Sequence, residues 1–89
     1  AYLLEQMVNA AVGDGLSRTD ALLLAEQTML GTSRVLLDQA MDPAALISAV
    51  ASPGGTTEAG LEILKKTDIG CILGQTIAAA SKRSKQLSE

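Results

Sequence analysis

The sequence predicts an all-α domain. Three observations carry that expectation: apolar residues recur at helical spacing along nearly the whole chain, capping residues and Gly or Pro turns separate the periodic runs, and no segment reads as a strand. About five helices follow from them.

The first helix is expected from about Ala1 to Asp14, with Leu4, Met7, Val8 and Ala11 at i, i+3, i+4 and i+7 on one apolar face. Glu5 and Asn9 share a side of it, as partners of each other or of a neighbouring cap, or as a polar pocket lining. Gly13 and Gly15 end it. Ser17 is the expected N-cap of the second helix, with Asp20 as a weaker version of the capping box. That helix, roughly Arg18 to Gln39, carries two nearly opposed stripes: Leu22, Ala25, Met29 and Leu36, then Leu24, Thr28, Gly31 and Val35. A helix on the surface of a monomer needs one stripe. Two suggest a helix sandwiched between layers, one of them from a second subunit; a well-buried helix in a monomer is the other reading. Asp42 and Pro43 mark the third start, as N-cap and first helical residue, and the helix stops near Ala51 before the Pro-Gly-Gly turn. The fourth helix spans about Thr57 to Lys66, with Leu61 and Leu64 facing inward and Glu58, Glu62, Lys65 and Lys66 on a solvated face. Thr67-Asp68 is expected to cap the fifth, Ile69 to about Leu87. Its stripe is Ile69, Ile72, Leu73, Thr76, Ile77, Ala80 and Leu87, and Gly70, Gly74 and Ala78 form a groove for close packing.

Composition narrows the function. The chain has 89 residues, 47% of them apolar, yet a single Tyr and neither Phe nor Trp. A core of Leu, Ile, Val, Met and Ala in so small a domain gains little net stability, and association with another chain or domain is the natural remedy. A net charge of −3 with no long basic run argues against nucleic acid. Lys82, Arg83 and Lys85 complement the end of the last helix. Cys71 stands alone, read as a small core residue; no internal disulfide is possible, and a reducing cytoplasm fits. Without histidine, the usual zinc sites and Ser–His or Cys–His nucleophile pairs are excluded within these residues. The longest apolar stretch, Ile69 to Ala80, is too short and too polar for a membrane span. The chain opens on Ala1 in mid-helix, so a fragment of a longer protein is expected.

Ser52-Pro53-Gly54-Gly55-Thr56-Thr57 is the segment that bears chemistry. Two glycines let the backbone approach a ligand, and the first N–H groups of the next helix lack intrahelical partners at the positive end of its dipole. A small anion such as a carboxylate fits there, beside a hydroxyl. From chemistry alone an ordinary capped turn fits equally well. Against the turn, Pro43 to Thr57 carries no charge, and an uncharged wall strengthens the attraction of those N–H groups for an anion. Gly13-Asp14-Gly15 is read as a helix–helix turn, because Arg18 stands where a dinucleotide fingerprint needs its third glycine and no strand precedes it. The Pro-Gly-Gly loop lacks the Gly-Lys-Ser/Thr ending of a phosphate loop.

Asp42-Pro43-Ala44-Ala45-Leu46, followed after five residues by Ser52-Pro53-Gly54-Gly55-Thr56-Thr57-Glu58-Ala59-Gly60-Leu61, closely resembles the C-terminal domain of the pyrroline-5-carboxylate reductase family. Leu4-Glu5 through Asn9, Gly15-Leu16 and Ala80 to Leu87 extend the resemblance over nearly the whole chain. Asp42 stands where a histidine is common, Ile47-Ser48 replace a frequent Lys-Asp, and Asp68-Ile69 replace a typical Gly-Phe. The resemblance implies an interleaved helical dimerisation domain, of the 6-phosphogluconate-dehydrogenase C-terminal type, without the N-terminal Rossmann domain. It implies a homodimer, often assembled into a ring of dimers. It implies NADPH or NADH bound mainly by the absent domain, and hydride transfer to the C=N carbon of 1-pyrroline-5-carboxylate, giving proline. Ser52, Pro53, Gly54, Gly55, Thr56 and Thr57 would then bind substrate. The amides of Gly55, Thr56 and Thr57 would hold its carboxylate, and the Thr57 hydroxyl would meet the ring nitrogen as the catalytic group. No metal is implied. Two rivals stand beside this reading. One is the helical domain of another imine or hydroxyacid reductase, which uses a lysine or other acid on a long helix that here offers Arg18 and Arg34. The other is a non-enzymatic dimerisation module.

Overall fold

Leu4, Val8 and Ala11 lie along one stripe of a helix, and burying that stripe joins the first two helices. The computed structural model describes all residues, Ala1–Glu89, as five helices without strands: α1 Tyr2–Gly13, α2 Arg18–Asp38, α3 Pro43–Val50, α4 Thr56–Lys65 and α5 Ile69–Ser88. The chain divides into two units, Ala1–Ile47 and Ser48–Glu89.

In the first unit α1 packs on α2. Val8 is the largest fully buried side chain, and it clusters with Ala21 and Ala25, one turn apart on α2, with Leu4, Ala11 and Leu22 around them. The two alanines let the helices approach closely, so the seam is tight but thin. Ser17 caps α2 as its residue type dictates: with extended backbone, its Oγ accepts the Asp20 N–H at 3.2 Å. Both helices end in the same left-handed motif. In α1, Gly15 has φ of 111°, with the Leu16 N–H donating to the Ala11 carbonyl at 3.1 Å and the Gly15 N–H to that of Val12 at 3.0 Å. In α2 the equivalent residue is Ala40, at φ of 45°, and the Met41 N–H closes on the Leu36 carbonyl at 2.9 Å. Asp42 caps α3, its Oδ1 accepting the Ala44 N–H at 2.9 Å.

In the second unit the apolar stripes stay in the open. Leu61 is half-buried, but Leu64 is exposed, as are Ile69, Ile72, Leu73, Ile77 and Leu87 along α5. Leu64 therefore does not face inward within one chain, and Cys71 is exposed instead of forming core. The cause is shared: α4 and α5 share no packed face, so neither stripe has a surface to cover it. The start of α5 also departs from expectation. Asp68, at φ −88° and ψ 28°, is not extended enough for its carboxylate to reach back to the helix amides, and Thr67 spends its hydroxyl on the Leu64 carbonyl at 2.7 Å.

The chain exposes 7164 Å². Two separately compact halves of its mass would expose about 5,900 Å². Side chains whose periodicity marks them for burial contribute to the surplus. The second stripe of α2 contributes, with Leu24 and Val35 exposed. No helix is long and apolar enough to cross a membrane.

Candidate functional site

The loop before α4 is built from the turn chemistry of four residues. Ser52, Pro53, Gly54 and Gly55 form a β-turn closed by the Gly55 N–H on the Ser52 carbonyl at 3.0 Å. Pro53 presets the second position, and Gly54, at φ of 73°, takes the third, the arrangement of a type II turn. Gly55 then serves as N-cap of α4 with an extended backbone (φ −85°, ψ 176°), and its carbonyl accepts the Ala59 N–H at 3.2 Å. Its lack of a side chain has a steric reason: a β-carbon there would lie 2.7 Å from Ser52 Oγ and 3.1 Å from the Ser52 carbonyl oxygen.

A glycine N-cap leaves the helix mouth without a side-chain partner. The N–H groups of Thr56, Thr57 and Glu58 donate to nothing in the chain. The hydroxyls of Thr56 and Thr57 are unspent too. Elsewhere the helix interiors consume such groups: Thr28 donates to the Leu24 carbonyl and Thr76 to that of Ile72. At a first turn no helical carbonyl lies four residues back. The six residues expected from sequence, Ser52 to Thr57, form the turn and the first two residues of α4, with Thr56 and Thr57 exposed. The Gly55 N–H, by contrast, is engaged within the turn.

Sequence reasoning missed Glu58. It was placed on a solvated face, but it is half-buried, and its Oε1 accepts the Gly54 N–H at 3.3 Å. The Gly55-Thr56-Thr57-Glu58 spacing, an acid at the third helical position, is the signal that could have found it. Glu5 and Asn9 are both exposed, without hydrogen bonds from their side chains. No group of three or more Cys, Asp or Glu side chains is placed to hold a metal ion.

A helical chain with so little core of its own and so much periodic apolar surface in the open defines the class: a domain made for association. The comparisons are specific within that class. The chain belongs to the family described as pyrroline-5-carboxylate reductase dimerisation, whose family model matches residues 1–87. It is similar to pyrroline-5-carboxylate reductase of Methanosarcina acetivorans, 38% identical over 87 residues, which cover 98% of this chain and 32% of the relative. It is likewise 38% identical over 88 residues to pyrroline-5-carboxylate reductase 1 of Bacillus subtilis strain 168 (99% and 30%). The corresponding Arabidopsis thaliana enzyme is 40% identical over 86 residues (97% and 31%). The chain spans about a third of the length of these curated relatives.

Proposed function

We propose that this chain is the C-terminal helical part of a two-domain cytoplasmic reductase that converts 1-pyrroline-5-carboxylate to L-proline with NADPH or NADH, working as a homodimer that assembles further into a ring. The observation that carries the reading is the bare mouth of α4, with unpartnered Thr56 and Thr57 N–H groups beside an unspent Thr57 hydroxyl. It supports a site for a small carboxylate whose neighbouring atom takes a hydrogen bond.

These residues do not fit a dinucleotide. The chain has no strand, and the glycines at 13 and 15 close α1, with the Gly15 N–H spent on the Val12 carbonyl. The nicotinamide cofactor, which supplies the hydride when bound, belongs to the rest of the protein. This chain's residues bind and orient. The Thr56 and Thr57 amides hold the substrate carboxylate at the positive end of the α4 dipole, while the Gly55 N–H, expected from sequence to join them, keeps the turn closed on Ser52. Ser52, Pro53 and Gly54 shape the turn that brings this backbone to the ligand. The Thr57 hydroxyl hydrogen-bonds the ring nitrogen as the imine becomes an amine. Fixing one ring face in this way is the protein's share of catalysis, since orientation lowers the barrier without an acid–base pair.

The test is a crystal structure of the full-length protein soaked with proline or a carboxylate analogue. The carboxylate is expected within hydrogen-bond distance of the Thr56 and Thr57 nitrogens. A ligand bound elsewhere, with this mouth open, removes the proposal.

A further inference from the structure

We propose that Glu58 is a positioning residue of the substrate loop, a reading that rests on the proposed function. Its carboxylate holds the Pro53-Gly54 turn back against the first turn of α4, and it sets a negative charge beside the anion that the loop receives. Three observations meet here. Glu58 Oε1 accepts the Gly54 N–H at 3.3 Å; Glu58 is half-buried where Thr56 and Thr57 are exposed; and Gly54 is the one loop residue with positive φ, at 73°.

The usual arrangement has an acid at the third helical position bond the N-cap N–H. That donor is taken here, because the Gly55 N–H closes the turn on Ser52. Glu58 therefore reaches one residue further back and bridges turn to helix. No other hydrogen bond ties the Gly54 backbone to α4. With that bridge in place the Thr56 and Thr57 N–H groups point out of a fixed mouth. Glu58 is also the first ionised residue after the uncharged stretch Pro43 to Thr57, so its charge acts on the same opening that a substrate carboxylate would enter. Loop order and anion affinity thus depend on one side chain in opposite senses. The bland reading, an acid that merely complements the helix dipole, makes Gln and Ala equivalent at this position because both remove the charge. A tether does not, since Gln keeps an acceptor oxygen.

The experiment compares Glu58→Ala and Glu58→Gln in the full-length protein by two measurements. One is amide hydrogen exchange of Gly54 and Gly55 without ligand; the other is steady-state kinetics with 1-pyrroline-5-carboxylate. For Glu58→Ala, exchange should quicken, and KM should rise above that of Glu58→Gln, which also lacks the charge, each by about 3- to 10-fold, the reach of one exposed hydrogen bond, with kcat within about twofold. For Glu58→Gln, exchange should stay within about twofold of the parent and KM should equal or fall below it, because the acceptor is kept and the like charge is gone. Equal exchange in the two variants, or no change in Glu58→Ala, overturns the tether even if the parent enzyme is fully active. Faster exchange in Glu58→Ala with a KM no higher than that of Glu58→Gln overturns the link to substrate. A parent protein that does not reduce the imine overturns the reading of function, and the exchange data still decide the tether.

Discussion

A β-carbon at position 55 would meet both Ser52 Oγ and the carbonyl oxygen that the Gly55 N–H itself needs. The hydroxyl can rotate away; the carbonyl cannot move without opening the turn. Gly55→Val in the full-length enzyme is therefore expected to raise KM about tenfold or more, equivalent to about 1.4 kcal/mol, while the melting temperature moves by only a few degrees. A changed melting temperature with unchanged KM would make the loop purely structural. Thr57 differs in kind, because in the proposed site its backbone N–H and its hydroxyl have separate tasks. Thr57→Ala keeps the first and removes the second, so the loss should fall on kcat, by roughly 10- to 1000-fold, the range for one catalytic hydrogen bond or proton relay. Steady-state rates at saturating substrate check it, and unchanged turnover takes Thr57 out of the chemistry. Thr56, exposed one position earlier, serves through its amide, and loss of its hydroxyl should leave both constants near their parent values.

The ends of α1 and α2 use one motif with different residues at the left-handed position, and the difference is measurable. Gly15 takes φ of 111° freely, whereas Ala40 is held at 45° by the bonds of Ala40 and Met41 to the Leu37 and Leu36 carbonyls. Such a conformation costs a residue with a β-carbon about 1–2 kcal/mol. Ala40→Gly should then stabilise the domain by about 1 kcal/mol, net of the greater freedom of glycine in the unfolded chain, and Gly15→Ala should destabilise it by a similar amount. Urea midpoints at one protein concentration would show both. Much of this level was legible in the sequence. Ser17, Asp42 and Pro43 announce their helices because their side chains or ring act within a turn, where sequence distance equals spatial distance. The same holds for the Pro53-Gly54 turn. Thr67-Asp68 misled for a conformational reason: an N-cap works only from an extended backbone, and Asp68 lacks one. Glu58 was hidden because it bonds the Gly54 N–H and not the N-cap N–H that a capping box uses, the Gly55 N–H being spent on the Ser52 carbonyl. The stripes of α2, α4 and α5 were legible as apolar faces, but not what they face, since periodicity carries no information about which chain supplies the other side.

At the scale of the whole molecule, two expectations follow from what the 89 residues contain. Lacking any strand or phosphate-binding turn, the isolated chain should show no saturable NADPH binding by calorimetry, and a micromolar site would contradict the division of labour proposed for the two domains. The second concerns association. One chain exposes 7164 Å², which exceeds the area of two separately compact halves by about 1,300 Å². Doubled for two copies, that surplus is about 2,500 Å², within the size range of obligate homodimer interfaces. The isolated domain should therefore sediment at low micromolar concentration with twice the 9.1 kDa mass of one chain, and its melting temperature should rise with concentration, as linkage requires. Ile77 isolates the cause. It is 70% exposed on α5 in the single chain, where a change to lysine would alter stability by no more than about 0.5 kcal/mol if that face stayed in water. If a second copy covers the face, Ile77→Lys buries an unpaired charge and should dissociate the dimer and abolish the concentration dependence of melting. A variant that sediments and melts like its parent would show that α5 meets water, and the exposed stripe of the fifth helix would need another explanation.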